Sequence, residues 1–193
     1  MRRPHLEGFI RFADFEAKPE GGAPALVRTV RALAAAGVSN TVVALFDNDA
    51  AAADALESIK NDRLPANFHI LQYPELEFAK DYPALGPTGL TSMDVNGLAC
   101  GIEMYLGRDV LTEEDGTLMP VQWQGFQSKV DRYQGELVGK GRLQRRFREK
   151  VERATTDPGS IVDQDWVLLD AILALVLERV ASSRRVSAMR LTE

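Results

Sequence analysis

The segment Val42-Val43-Ala44-Leu45-Phe46-Asp47-Asn48-Asp49 constrains this chain more than any other. Residues 41–46 (TVVALF) are a near-continuous β-branched and apolar run bounded by turn signals. Its shortness and composition predict a central strand covered on both faces. Two carboxylates separated by one residue follow at once. In open α/β sheets ligands bind outside the carboxyl ends of the strands, so both acids are aimed at one crevice. Burying both without a cation is costly through desolvation and like-charge repulsion. A hard divalent ion with oxygen ligands, Mg²⁺ or Mn²⁺, relieves that cost. The plainer alternative is that Asp47 or Asp49 caps a helix beginning near Ala50, a position aspartate fills well.

The flanking rhythm is helix, strand, helix, strand. Leu26, Val27, Val30, Leu33 and Ala34 recur at helical spacing over residues 23–36. Pro24 suits a first turn and Gly37 a helix stop. A second helix is expected over 50–60 and a second strand over 68–72 (FHILQ). This order predicts an α/β fold with a parallel sheet and crossover helices. A short extended segment is expected over 9–15. Residues 73–93 carry Pro74, Pro83, Gly86, Pro87 and Gly89 and read as a long loop, of the kind that is often functional. A short helix over 95–106 follows. Asp115-Gly116 marks a turn between 110–111 and 118–123. Two helices close the chain, a basic one over 134–151 and an apolar-striped one over 163–183. The stripe is Trp166, Leu169, Ile172, Leu173, Val176 and Val180.

Composition narrows the function classes. Of 193 residues, 45% are hydrophobic and 26% charged, which is globular composition. Apolar runs are broken by charge before a bilayer-spanning length, so no membrane partner is expected. The basic start MRRPHLEGF has no apolar stretch behind it and does not read as a secretory signal. A single cysteine, Cys100, with only His5 and His69, argues against a Cys/His zinc site and for a reduced, cytoplasmic setting. A net charge of −5 disfavours a protein that coats nucleic acid without specificity, yet permits a local basic face.

Three further groups bear on chemistry. Glu20 precedes Gly21-Gly22 and a helix, a turn through which a carboxylate approaches a metal or phosphate; an ordinary exposed glutamate is the alternative. Asp94 and Glu103 frame DVNGLACGIEMYL. Asp94 suits an N-cap, whereas Glu103, among Leu98, Ala99, Ile102, Met104 and Leu106, needs solvent or a cation. The run from Lys140 to Lys150 crowds Lys140, Arg142, Arg145, Arg146 and Arg148 around an inward stripe of Leu143, Phe147 and Val151. Such density suits phosphate contact, and a solvated or internally paired face is the alternative.

At these residues the chain resembles a Toprim domain, the α/β fold of topoisomerases, bacterial primases and overcoming-lysogenization-defect (OLD) nucleases. Glu20-Gly21 and Asp47-Asn48-Asp49 correspond to the family's glutamate and Asp-x-Asp. DVNGLACGIEMYL resembles the acidic helix of OLD-type members, and YQGELVGKGRLQRRF a following basic helix with Lys140 facing phosphate. The nearest likeness is to bacterial HEPN/Toprim-associated proteins, often placed among phage-defence genes. The resemblance covers about residues 9–150. Ala50-Ala51 replaces the usual glycine, and FADFEAKPEGG is a poor strand, so Glu16 competes with Glu20 for the first position. No HEPN ribonuclease signature is found.

The resemblance implies a Toprim-like domain over 9–152 and a C-terminal helical extension over 153–193. It implies Mg²⁺- or Mn²⁺-dependent cleavage of nucleic acid, DNA before RNA, in antiviral defence. Glu20, Asp47, Asp49, Asp94 and Glu103 are the expected metal ligands. Glu20, Asp47, Asp49 and Lys140 are the expected catalytic residues. Lys140, Arg142, Arg145 and Arg146 are the expected nucleic-acid contacts. Two alternatives stand beside it: a catalytically impaired binding or assembly subunit, homodimeric or part of a defence complex, and a haloacid-dehalogenase-like phosphohydrolase. No Gly-x-x-x-x-Gly-Lys-Ser/Thr loop is present, so ATP hydrolysis by that route is not expected.

Overall fold

A computed structural model describes residues 10–12 and 22–190, with side chains up to residue 182. Glu16, Glu20 and most of the expected segment 9–15 lie outside the described residues. The fold is mixed α/β, with a small parallel sheet, a larger mixed sheet and a C-terminal helix.

Helix α1 (Ala23–Ala35) begins with Pro24 in its first turn. It closes at Gly37, whose N–H donates to Ala34 while Val38 donates back to Leu33. Strand β1 (Val42–Phe46) runs parallel to β3 (Phe68–Gln72), in the register Val42–Phe68 to Phe46–Gln72. Helix α2 (Ala50–Ile59) makes the crossover between them. Val27 and Val30 of α1, Ala52, Ala55 and Ile59 of α2, and Ala44, Phe46 and Phe68 of the strands form one buried cluster. The apolar stripes read from the sequence are the faces that meet there.

Between β1 and α2 the chain makes a two-residue strand, β2 (Asn48–Asp49). It pairs antiparallel with β6 (Ala99–Cys100). The second sheet has the order β5-β4-β7-β8. Its strands are β4 (Tyr82–Gly86), β5 (Gly89–Met93), β7 (Val121–Gln127) and β8 (Arg132–Leu137). The Gly135 N–H donates to the Leu98 carbonyl at 3.0 Å and so hooks β8 to the chain leading into β6. A second core lies under this sheet, built on Tyr82, Tyr105, Met104, Leu111, Met119, Leu143 and Ile172.

Several expected elements differ. Residues 73–93 are not a loop: a 3₁₀ turn (Glu77–Asp81) leads into the β4–β5 hairpin, which Pro83 tolerates. Residues 95–106 are not one helix. Gly97 has φ +68, and the segment is a turn, then β6, then a 3₁₀ turn (Ile102–Tyr105). Helix α3 (Arg108–Leu111) follows, so Asp115-Gly116 joins a helix to a strand through one bridge, Thr112 to Leu118. The basic helix α4 (Lys140–Thr156) starts six residues later than the sequence pattern suggests, because Arg132–Leu137 pairs as β8. Helix α5 (Val167–Arg190) buries Ile172 in the second core, with Leu168 and Leu169 packed beside it. The first part of its stripe, Trp166, Leu169 and Ile172, is therefore used within the chain. Arg179 also acts on His69 of β3: burial first, then that guanidinium, holds the imidazole below its ordinary value.

Lys150 pins the start of α5. Its ammonium donates to the Leu106 carbonyl and to Asp109, both at 2.8 Å, and to the Asp165 carbonyl, and lies 4.6 Å from the Trp166 ring centre. Among the described residues no helix is long and apolar enough to cross a membrane.

Candidate active site

The end of β1 divides its side chains between two clefts. Successive residues of an extended chain point to opposite faces. Asp47 and Asp49 thus line one cleft of about 240 Å³, together with Glu103, Gln134 and Lys140. Asn48 lines a neighbouring cleft of about 600 Å³ with Asp94 and Arg132. The two clefts share the Asp-Asn-Asp segment as a wall.

Asp47 is half-buried in the smaller cleft. Burial, then the charge of Asp49, then that of Glu103, lift its carboxyl from an ordinary 3.8 to about 6. The Ile102 backbone N–H and the Lys140 ammonium oppose that rise. Gly101 lies between the two acids. A Cβ there would stand 2.9 Å from Glu103 Oε2 and 3.9 Å from Asp47 Oδ2, so the absence of a side chain lets both carboxylates close over this point. Tyr73 borders the same acids. Burial, then Asp47 and Glu103, push its hydroxyl to about 12, so it stays protonated.

Glu103 is nearly buried in the 3₁₀ turn after β6, and its cation is Lys140 at 3.5 Å. Lys140 stands in the first turn of α4 and also pairs with Glu136 at 2.7 Å. Burial alone would lower its pKa, but the hydrogen bonds and charges of Glu136 and Glu103 outweigh that and hold it above the usual lysine value. Lys140 and Glu103, 37 residues apart in sequence, therefore meet as an ion pair at this cleft.

Asp49 is held differently. Its Oδ1 accepts from the Ala52 N–H at 2.7 Å, the N-cap of α2, and its Oδ2 accepts from Gln134 Nε2 at 3.0 Å. Gln134 Oε1 in turn accepts from the Ala51 N–H at 2.8 Å. The capping alternative thus describes what Asp49 does in this structure. Gln134 was not among the expected site residues. Its only sequence signal is alternation within a strand that the helical reading of 134–151 concealed.

The remaining expected residues fall elsewhere. Asp94 lines the larger cleft, where its Oδ1 accepts from the backbone and side-chain nitrogens of Asn96 at 2.9 Å. It closes a turn and caps no helix. Arg142 and Arg146 both pair with Glu113, the latter at 3.0 Å, and Arg146 also donates to the Thr112 carbonyl at 2.8 Å. These are the internal partners that the sequence left as the plainer alternative. Arg145 is exposed. Glu20 lies outside the described residues.

Among the described residues, no three His, Cys, Asp or Glu side chains come close enough together to hold a metal ion. In kind, the donors fit a hard divalent cation, since they are carboxylate oxygens and Asp47 is raised by burial first and then by the charges of Asp49 and Glu103. In number they are incomplete. Asp49 has both oxygens engaged, and Lys140 occupies part of the space beside Glu103. Comparison with known proteins yields no family model, no curated protein and no solved structure that matches this chain.

Proposed function

We propose that this protein cleaves phosphodiester bonds of nucleic acid with the help of Mg²⁺ or Mn²⁺, on a Toprim-like α/β scaffold. The observation that carries the reading is the meeting of Asp47, Asp49, Glu103 and Lys140 in one cleft at the end of a parallel strand, with Asp47 lifted to about 6. Structural ion-pair networks also perturb pKa values, so it is the position in a cleft at the strand end that favours function.

Asp47 and Glu103 would hold the cation, and Glu20 remains the expected ligand from the first motif. When bound, such an ion polarises a phosphoryl oxygen and makes a water acidic enough to attack. The chain's own residues do the rest. Asp47 would serve as a carboxylate ligand, because the cation's charge would take the place of the proton that burial, Asp49 and Glu103 favour in its absence. Lys140 supplies a positive charge toward negative charge growing on phosphate. Gln134 keeps Asp49 turned toward α2 and so away from the role of ligand.

The test is cleavage of labelled single-stranded and duplex DNA and RNA by the full chain with Mg²⁺ or Mn²⁺. Asp47→Asn and Lys140→Ala should each lower the rate by about a hundredfold or more. An Asp47→Asn variant that cuts like the parent overturns the reading.

One observation favours the competing reading of a binding or assembly subunit without catalysis: Asp49, Arg142 and Arg146 all have internal partners. Absence of metal-dependent cutting on every nucleic acid, with binding retained, would select it. Hydrolysis of a small phosphate ester alone would select the haloacid-dehalogenase-like alternative. The suggested setting in phage defence rests on the family resemblance.

A further inference from the structure

Four acids line the smaller cleft, Asp47, Asp49, Glu103 and Glu136, and Lys140 is the only cation among its lining residues. Asp49 is satisfied by neutral donors, the Ala52 N–H and the Gln134 amide. Glu103 and Glu136 share the lysine, at 3.5 and 2.7 Å. Asp47 forms no ion pair among the described residues and feels the ammonium only through space. One positive charge thus serves a cleft that holds more negative charge than it can balance.

Lys140 stands where a lysine is electrostatically disfavoured. It is in the first turn of α4, whose N-cap is Gly139 in a left-handed conformation with no side-chain cap. That end of a helix carries the positive pole of its dipole, which repels an ammonium. The lysine is held there by the two carboxylates it bridges, not by its helix. Its partners differ in exposure: Glu103 is 11% exposed and Glu136 44%. Glu103, the deeper one, also closes toward Asp47 over Gly101, which has no side chain to keep them apart.

We propose that Lys140 is the built-in counter-ion of this cleft, and that its ammonium and a divalent cation exclude one another at Glu103. The lysine takes the place and part of the charge that a divalent ion would supply between the acids. When it leaves Glu103, the ammonium keeps only Glu136, the partner nearer to solvent, and is free to face a phosphate. That last use of the lysine rests on the proposed phosphodiester chemistry. The exclusion rests on charge and space alone and is tested without substrate.

The experiment is Mn²⁺ binding to the full chain, read at about pH 8 from the electron paramagnetic resonance signal of the free ion. Lys140→Met keeps the apolar stem and removes the charge, and should bind Mn²⁺ at least about tenfold more tightly than the parent. Lys140→Gln should show the same gain and serves in its place if the methionine variant does not fold. Lys140→Arg should bind no more tightly than the parent. Arg148→Met removes one charge from an exposed position about two turns further along α4 and should change the affinity less than about twofold. Adding Asp47→Asn to Lys140→Met should abolish the gain, which places the ion in this cleft. Equal affinity of the parent and both neutral Lys140 variants overturns the exclusion, as does an equal gain in Arg148→Met. Tight binding by Lys140→Met, with neither binding nor cleavage by the parent, upholds the exclusion and overturns metal-dependent catalysis. Absence of binding in every variant overturns both.

Discussion

Gln134 of β8 holds Asp49 at the mouth of β1: its Nε2 donates to Asp49 Oδ2 at 3.0 Å while its Oε1 takes the Ala51 N–H at 2.8 Å. One amide thus fixes both the carboxylate and the first turn of α2, and ties the parallel sheet to the mixed one. Gln134→Leu should lower stability by about 1–3 kcal/mol, measured by urea denaturation, since it leaves a backbone donor and a carboxylate oxygen without partners. Gln134→Glu should be worse at pH 8 than at pH 5, because it sets a second carboxylate against Asp49. Equal stability of parent and Gln134→Leu would show that the clamp carries no energy.

Asp47 makes stability depend on pH in a stated direction. Its folded value of about 6 lies above the ordinary 3.8, so the folded state binds the proton more tightly. The stability this contributes is full below about pH 4 and is lost as pH rises through about 6. Asp47→Asn removes the charged form and should stabilise the protein at pH 8 by about 1–3 kcal/mol, with the gain shrinking toward pH 4. Melting temperatures across that range check it. Mg²⁺ should raise the melting temperature of the parent at pH 8 and leave Asp47→Asn nearly unchanged. A variant less stable than the parent at every pH contradicts the cause assigned to the shift.

Lys150→Met should destabilise the fold by about 2–4 kcal/mol in chemical denaturation. The substitution keeps the apolar stem but removes the ammonium from two carbonyls and Asp109. Asp109 is 35% exposed, so water recovers part of the loss. An effect below about 0.5 kcal/mol would remove this lysine from the account of how α5 is docked.

Gly107→Ala should cost more than about 2 kcal/mol, for two separate reasons. Its φ of +113 is strained for any L side chain. An added Cβ would also run into the Asp165 carbonyl, the Asp109 carboxylate and the Lys150 ammonium. Thermal unfolding measures it, and a melting temperature within about 2 °C of the parent would contradict the crowding described.

Cys100 should resist thiol reagents until the protein unfolds. It is fully buried, and burial, then Asp94 and Asp49, push its thiol up to about 12. Modification in native buffer should be at least about a hundredfold slower than in guanidinium. Rapid native labelling would mean that the β2–β6 pair opens readily.

The regions read best from sequence are those whose contacts are local. Val27 and Val30 on α1, the apolar run of β1 and the FHILQ strand each carry their own period, and the structure places them within a residue or two of expectation. The misread regions are those where pairing is long-range. Gln134–Leu137 looks like the start of a basic helix because it runs directly into the basic segment from Lys140; pairing with Val121–Gln127 makes it part of a strand. Residues 82–93 look like a loop from their prolines and glycines, and pair as a hairpin because those residues fall at its start and at its turn.

The residues themselves determined that two acids would end a strand, that a lone cysteine would form no intrachain disulfide, and that a basic helix would follow. Those outcomes depend on short-range geometry and side-chain chemistry, which a linear reading contains. Tertiary structure alone decided that Glu103 and Lys140 would join Asp47, that Asp49 would turn toward Gln134, and that Arg142 and Arg146 would pair with Glu113. Each of these is a meeting of side chains from separate elements. Its free energy depends on burial and on distances that exist only once the two cores have packed.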